Sequence, residues 1–245
     1  MSPEEKNISS EAISYIKAHK KELIGRFANL KDHPPAKIPL TIFMAGSPGA
    51  GKTEFSRALV DTFNQNYSVP VVRIDADEIR DTLSECGYTG NNSHIFTDAC
   101  SKGVHFLFDS CIKYNQHLLL DTTLASIITA EKNIERALEH SRQVSIFYLY
   151  QDPLIAWEFT KKREAIEGRR VSKEFFIDSF LAAKENANII KRTFGKQVQL
   201  YLVEKDYSNN LGKYTENIDN IDSYIKTGYN REELIKKLNE YDNLS

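Results

Sequence analysis

The sequence predicts an α/β fold with a five-stranded parallel sheet and helices on both faces. Five short runs rich in aliphatic and β-branched residues are typical of strands, and they lie at residues 40–45, 69–74, 118–120, 144–149 and 198–203. Several of these runs are apolar at consecutive positions, which indicates burial on both faces of a sheet. Long segments with apolar residues at helical spacing separate the runs, as expected for alternating β-α units.

The amino-terminal residues predict a helix that precedes the sheet. Between residues 9 and 30, apolar side chains recur at helical spacing on a charged background, at Ile13, Ile16, Leu23, Ile24, Phe27 and Leu30. Pro34 and Pro35 then end the helix, because proline lacks the N–H donor and disfavours helical geometry in the residue before it. We therefore expect residues 1–36 to form an amino-terminal helical extension.

The core is predicted to span residues 37–204. One helix follows the first strand, and later helices are expected at 94–115, 127–140, 153–167 and 173–194. Capping and stop residues mark the last two of them, at Asp152, Pro153, Gly168, Ser172 and Gly195. A helical lid is therefore expected near residues 161–173, where these two helices meet.

The last part of the chain, residues 205–245, is polar and irregular. It contains Asn209 and Asn210 and then an amphipathic segment with Leu234 and Leu238 at helical spacing. We expect a carboxyl-terminal extension that ends in a helix.

Composition and charge narrow the classes of function. The 245 residues carry a formal net charge of −2, which provides no general attraction to nucleic acid or to an anionic membrane. The amino terminus lacks the features of a signal peptide, and no apolar run approaches the roughly 18 residues of a membrane span. We expect a cytoplasmic protein that binds a small anionic ligand, without nucleic acid or membrane as partner. Cys86, Cys100 and Cys111 lack metal-ligand spacing and are expected to be buried thiols.

A phosphate-binding loop follows the first strand. Residues Gly46 to Thr53 match the pattern G-x-x-x-x-G-K-[ST]. Glycines let the backbone wrap around a triphosphate, Lys52 would reach its β- and γ-phosphates, and Thr53 would bind Mg²⁺. The strand before this loop and the helix after it favour a P-loop NTPase or kinase fold. The predicted nucleotide-binding residues are Gly46, Ser47, Pro48, Gly49, Ala50, Gly51, Lys52, Thr53 and Glu54, with ATP as the nucleotide and GTP as the alternative.

Acidic residues follow the second predicted strand. Asp75 and Asp77 lie at the carboxyl end of this strand, the edge at which open α/β sheets bind ligands. Kinases use a carboxylate that accepts the proton of the acceptor hydroxyl. We assign this role to Asp77 and expect Asp75 to bind substrate. The alternative is that Asp77 only caps a helix that begins at Glu78.

The third predicted strand ends in Asp121, followed by Thr122 and Thr123. A P-loop fold can use an acid at this position to hold Mg²⁺ or to contact substrate. We therefore predict Asp121 as a metal ligand together with Thr53, with capping by Asp121 as the alternative.

Several basic residues lie in the predicted lid, near residues 161–173. Arginines carried by a helix junction can neutralise the charge of a transferring phosphoryl group and exclude water when the lid closes. Arg163 and Arg170 are the best candidates for this role. Lys161, Lys162 and Arg169 are expected to be surface residues.

These motifs together resemble the zeta-toxin family of P-loop kinases, over roughly residues 38–204. By position, the resemblance implies that Lys52 and Asp77 are catalytic and that Arg163 and Arg170 bind phosphates. It implies an ATP-dependent, Mg²⁺-dependent transfer of the γ-phosphate.

The family's best-known acceptor is the 3′-hydroxyl of UDP-N-acetylglucosamine, and its toxins are neutralised by a small helical antitoxin. The resemblance implies a nucleotide-sugar substrate and such an antitoxin as partner. We predict Asp75, Asp121, Thr123 and His105 as the substrate-binding residues. Two departures fall in this pocket: an acidic-Gly-Thr segment appears as Asp121-Thr122-Thr123, and an expected glutamate is His105. Residues 1–36 could act as a built-in inhibitor in place of the antitoxin, although a packing helix is the plainer interpretation.

Three other functions use the same motifs. A metabolic or antibiotic small-molecule kinase would differ only in the acceptor pocket. A nucleotide-switch GTPase or ATPase module is disfavoured, because the sequence contains neither N-K-x-D nor D-x-x-G and no predicted strand ends in an Asp-Glu pair. A nucleic-acid end kinase is disfavoured by the balanced charge.

Overall fold

The computed structural model describes residues 1–168, 170–205, 212–225 and 228–244. Its strands are β1 (Leu40–Ala45), β2 (Val71–Asp75), β3 (His117–Asp121), β4 (Gln143–Tyr150), β5 (Val198–Glu204) and β6 (Lys213–Thr215). They form one sheet in the order β2-β3-β1-β4-β5-β6. Strands β1 to β5 pair in parallel, and β6 pairs with β5 in the antiparallel direction.

The predicted parallel α/β sheet is confirmed, but the expectation of five strands is wrong by one. The additional strand, β6, has three residues, and none of them is buried. It lies in the polar segment after β5, where no apolar run marks a strand. Its pairing with β5 places it in the sheet, and that partnership cannot be seen in the local sequence.

Helices connect the strands and follow the last one. Within the described ranges they are α1 (Pro3–Ala18), α2 (Lys20–Phe27), α3 (Lys52–Tyr67), α4 (Ala76–Asp81), α5 (Thr97–Lys113), α6 (Ile127–Glu139), α7 (Pro153–Glu167), α8 (Lys173–Phe194) and α9 (Arg231–Leu244). No described helix combines the length and apolar character that crossing a membrane requires.

The two faces of the sheet are buried under different helices. On one face, Ile42, Leu119 and Phe147 belong to a core cluster whose helical partners come from α3. On the other face, neighbouring strand residues such as Phe43 and Leu118 join a larger cluster with α1, α2, α5, α6 and α8. Side chains of a strand alternate between its faces, so this arrangement accounts for the consecutive apolar positions in the sequence.

The amino-terminal segment forms two helices where one was expected. Ser2 and Glu5 make a reciprocal capping box at the start of α1. The break lies at His19, whose φ of −95° and ψ of 19° depart from helical geometry. Both helices contact α5, and they contribute Ala12, Ile16 and Leu23 to the main core. They therefore pack as part of the core.

The carboxyl-terminal helix α9 packs on α7 and α8, the helices that meet at the predicted lid. Leu234 and Leu238 are fully buried in a separate cluster with Trp157 of α7 and Phe176 of α8. The Trp157 indole donates a hydrogen bond of 2.8 Å to Asp242. Helix α9 lies in the region where a terminal helix was predicted, and it contacts both α7 and α8.

The cysteines are free thiols. Cys100 and Cys111 are buried as expected, and burial raises the pKa of these thiols to about 11 and about 12. Cys86 is only half-buried, and burial raises the pKa of its thiol.

Candidate functional site

The loop from Gly46 to Thr53 has the backbone of a phosphate cradle. Gly49 and Gly51 have φ of 73° and 78°, a conformation that favours glycine. A Cβ atom at Gly49 would lie 2.0 Å from the Ala156 carbonyl oxygen, so α7 approaches the loop too closely for any side chain there. Helix α3 begins directly after Gly51, and its N-terminal N–H groups favour an anion at this position.

Lys52 lies where a phosphate-binding cation is needed. Its Nζ donates hydrogen bonds to the carbonyl oxygens of Gly46 at 3.0 Å and Ser47 at 2.6 Å, and thus lies within the curve of the loop. Thr53 is half-buried in the first turn of α3, and Glu54 beside it is exposed. These residues fit a bound triphosphate, because the loop backbone can approach the phosphates closely and the Lys52 ammonium lies within its curve.

Asp75 and Asp121 lie side by side at the carboxyl ends of β2 and β3, where they are register partners. The Arg73 guanidinium lies between them and donates hydrogen bonds of 2.6 Å to Asp75 Oδ2 and to Asp121 Oδ2. Its other nitrogens donate to Glu78 and Ser56. Burial disfavours the charged form of Arg73, but Asp75, Asp121 and Glu78 together outweigh burial and raise its pKa.

The hydrogen bonds within this cluster occupy oxygen atoms of both Asp75 and Asp121. Asp75 also accepts the backbone N–H of Asp77 at 2.9 Å, so it is the N-cap of α4. The alternative in which Asp77 is the cap is therefore wrong. Ser56 donates to Asp121 Oδ2 at 2.8 Å, so that oxygen already accepts two hydrogen bonds. The described residues contain no group of three potential metal ligands, so a metal ion would need phosphate or water as further ligands.

Asp77 lies in the first turn of α4 and is about one quarter exposed, with 26% of its side chain accessible. Arg80, one turn later, donates a hydrogen bond of 2.6 Å to Asp77 Oδ1. Arg163 of α7 brings a guanidinium nitrogen to 3.6 Å from Asp77 Oδ2. The structure thus brings together the predicted base and one of the two predicted lid arginines.

Helix α7 connects the loop to Asp77. Ala156 and Thr160 border Gly49, and Arg163 lies one turn after Thr160 on the same side of the helix. At a rise of 1.5 Å per residue, roughly 10 Å separates Ala156 from Arg163 along the axis. One helix therefore spans from the phosphate cradle to Asp77.

The second predicted lid arginine lies apart. The Arg170 side chain is 83% exposed, and its Nε is 3.9 Å from Glu164. Lys161 pairs with Glu164 on the exposed side of α7, and Lys162 is exposed beside Glu158, as the prediction of surface residues requires. Arg169 lies outside the described residues.

The residues predicted to bind the acceptor make fewer contacts with the phosphate-binding loop than the phosphate-binding residues do. The Thr123 carbonyl accepts the N–H of Gly46 at 3.2 Å, so the segment after β3 contacts the loop. Asn186 of α8 donates to the carbonyls of Leu124 and Ala125 and holds this segment in place. His105 lies on the exposed face of α5. Among the described residues, no hydrogen bond or ion pair joins it to the loop or to the aspartates.

Sequence reasoning missed Arg73, Arg80, Asn186 and Lys205. Lys205 follows β5, and its Nζ lies 3.4 Å from the Gly51 carbonyl oxygen. A signal existed for Arg73, because a charged residue inside a strand that is buried on both faces needs a partner of opposite charge. The other three have no local pattern that marks them.

Comparison with protein families identifies one match. The model of the family described as zeta toxin matches residues 26–218 of this chain. A search of curated protein sequences returns no significant match.

Solved structures with the same fold include a protein from the PezAT chromosomal toxin–antitoxin system of the human pathogen Streptococcus pneumoniae. It has a TM-score of 0.65 and 15% sequence identity, and the alignment covers 99% of this chain and 96% of that one. The structure of AvrRxo1-ORF1:-ORF2 with ATP aligns with a TM-score of 0.62 and 14% identity, over 98% of this chain and 81% of that one. At these identities the likeness shows a shared fold.

Proposed function

Because this chain belongs to the zeta-toxin family, we propose that it is an ATP-dependent kinase that phosphorylates a hydroxyl group of a UDP-N-acetyl amino sugar. The observation that carries this function is the position of Asp77 between Arg80 and Arg163, joined to the phosphate cradle by α7. Phosphoryl transfer uses a carboxylate that orients the acceptor hydroxyl and an arginine that stabilises the transferring group, beside a P-loop that holds the phosphates. In this proposal Asp77 and Arg163 take the first two roles.

The residues predicted to bind phosphate and metal each have a place in this reaction. The loop N–H groups and Lys52 hold the β- and γ-phosphates of ATP. Thr53 and Asp121 would hold Mg²⁺, which would supply positive charge to the phosphate oxygens. Arg163 stabilises the transferring phosphoryl group, and Arg170 joins it when the lid closes.

The chemical step is an in-line displacement. The acceptor hydroxyl oxygen attacks the γ-phosphorus, and its proton passes to Asp77. The bond from the γ-phosphorus to the β,γ-bridging oxygen breaks, and ADP leaves with that electron pair. The products are ADP and a phosphomonoester of the acceptor, so atoms and charge balance.

The proposed partner is a small helical antitoxin. The family name supports it, as does the shared fold with a protein from a toxin–antitoxin system. The chain's own helices α1 and α2 are buried against α5. This packing weighs against the hypothesis that residues 1–36 act as a built-in inhibitor at the loop.

Phosphorus NMR tests the function. Purified protein is incubated with ATP, Mg²⁺ and UDP-N-acetylglucosamine, beside Asp77→Asn and a control variant, Asp61→Asn, in which the same chemical change falls on an exposed residue of α3. We expect a new phosphomonoester signal from wild type and Asp61→Asn, and a rate at least about 100-fold lower from Asp77→Asn.

A signal from Asp77→Asn equal to wild type would remove its role as base. Tight ATP binding without any new phosphomonoester would overturn the sugar-nucleotide acceptor and favour the alternative, a metabolic or antibiotic kinase with another small-molecule acceptor.

A further inference from the structure

Arg80 links Asp77 to the interior of the protein. Both residues lie on α4, three positions apart, so their side chains share one face of the helix. The guanidinium NH1 lies 2.6 Å from Asp77 Oδ1. Arg80 is only 8% exposed, whereas Asp77 reaches the surface at the carboxyl edge of the sheet.

The guanidinium of Arg80 is buried next to two polar side chains. The Tyr88 hydroxyl and the Cys100 thiol lie beside it, and Arg80 opposes the rise in their pKa that burial causes. Its Nε has no hydrogen-bond partner among the described residues. A buried guanidinium is costly without an opposite charge, so the ion pair with Asp77 accounts for a cation at this depth.

The two oxygens of Asp77 face different arginines. Oδ1 accepts from Arg80, which is buried against α5, and Oδ2 lies 3.6 Å from Arg163, whose side chain is 43% exposed on a lid helix. The contact with Arg80 is therefore buried, whereas the contact with Arg163 lies on a partly exposed side of α7. The short hydrogen bond to Arg80 leaves the other carboxylate oxygen to face Arg163.

We infer that Arg80 is a positioning residue, which fixes the Asp77 carboxylate so that Oδ2 accepts the proton of the acceptor hydroxyl. This inference rests on the proposed function. The terminal torsion of an aspartate is broad and nearly two-fold, so an unrestrained carboxylate would spend time in other orientations. Among the described contacts Arg80 makes none with the P-loop, so it acts on the transfer step and not on ATP binding.

A double-mutant cycle tests this role. The variants are Arg80→Gln, Arg80→Lys, Asp77→Asn and the double variant Arg80→Gln with Asp77→Asn. Arg136→Gln is the matched control, since Arg136 lies on α6 and pairs with Asp109 at the surface. Transfer is measured with ATP, Mg²⁺ and UDP-N-acetylglucosamine, and the release of inorganic phosphate with water as acceptor is measured beside it.

We expect Arg80→Gln to lower kcat about tenfold or more while KM for ATP stays within about twofold, as for a group that acts only in the transition state. Arg80→Lys should recover part of the loss, since lysine keeps the charge. The double variant should be no slower than Asp77→Asn within about twofold, because residues that act as a unit are not additive. The rate of Arg136→Gln should equal that of wild type.

Additive losses in the double variant would overturn the positioning role and leave a structural one, as would a loss confined to KM for ATP. Thermal unfolding of each variant identifies a folding defect, and if Arg80→Gln does not fold, Arg80→Lys takes its place in the cycle. Wild-type protein that transfers phosphate to neither UDP-N-acetylglucosamine nor water would overturn the proposed function and this inference together. Normal wild-type transfer with additive losses would overturn only the inference.

Discussion

Asp77 Oδ2 lies 3.6 Å from a guanidinium nitrogen of Arg163, and this pair joins the helix after β2 to α7. The two residues are far apart in the sequence, and neither lies in the phosphate-binding loop. Their contact places a cation of α7 beside the predicted base. The first prediction follows from this pair.

Arg163→Ala should lower kcat for phosphate transfer by more than about tenfold, because a guanidinium that stabilises the transferring group is lost. Lys162→Ala removes a charge from the same helix at a side chain that is 62% exposed, and its kcat should stay within about twofold of wild type. Steady-state kinetics at saturating ATP measures both. Equal rates for wild type and Arg163→Ala would contradict the assignment and favour Arg170 as the lid arginine.

Gly49→Ala should damage the phosphate cradle. The new Cβ would lie 2.0 Å from the Ala156 carbonyl oxygen, at a backbone φ of 73°. We expect a loss of at least about 1 kcal/mol in the free energy of unfolding, since alanine is strained at positive φ, together with weaker ATP binding. Denaturant unfolding and calorimetric titration with ATP measure these effects.

Gly25→Ala is the control for this change. Gly25 lies in α2 and has no atom within 4 Å of the added Cβ, so the substitution should stabilise the protein by up to about 1 kcal/mol. A Gly49→Ala protein as stable as Gly25→Ala, and with unchanged ATP affinity, would mean that α7 does not constrain the loop.

Arg73→Met should destabilise the protein by about 3–5 kcal/mol, because it leaves Asp75 and Asp121 buried next to each other without their cation. Arg57→Gln removes an arginine whose side chain is 61% exposed and which pairs with Glu78, and it should cost less than about 1 kcal/mol. Urea unfolding at neutral pH measures both. A small loss for Arg73→Met would mean that the carboxylates are solvated or bind another cation.

His117 predicts a loss of stability in mild acid. Burial, followed by the nearby Arg142, lowers the pKa of His117 in the folded protein. Its Nδ1 accepts the N–H of Leu40 at 3.0 Å, which requires a neutral ring at this nitrogen. The unfolded chain therefore binds more protons than the folded one below about pH 6.5, so stability falls as the pH drops through this region.

His117→Asn removes the titration and keeps an acceptor for Leu40. The Tm of the wild type should fall more between pH 7.5 and pH 5.5 than the Tm of this variant, in a thermal-unfolding series. Parallel pH profiles for the two proteins would contradict the role of His117, and would shift attention to His33, whose pKa burial also lowers.

Several parts of the molecule are fixed by short-range patterns in the sequence. The loop from Gly46 to Thr53 is recognised by residue types at fixed spacing, because glycine conformations and the position of Lys52 are local properties of the backbone. The parallel strands and their connecting helices follow from apolar periodicity, since each element must bury its own apolar face. Pro153, Gly168 and Ser172 likewise mark helix ends by local stereochemistry.

Other parts depend on contacts between distant elements. Asp75 and Asp121 both follow a strand in the sequence, and only the pairing of β2 with β3 brings them together and gives them Arg73 as a shared partner. Of the two predicted lid arginines, only the packing of α7 against the loop selects Arg163 as the neighbour of Asp77.

The sequence by itself determined the fold class, the phosphate-binding loop and the set of acidic and basic residues from which a site could be built. The tertiary structure alone decided which aspartates are neutralised, which arginine faces Asp77, and that Arg80 anchors it. The physical reason is the separation along the chain over which each property is set. Backbone conformation and periodicity are set by neighbours in the chain, whereas the partner of a charged side chain is set by the topology that folds distant elements together.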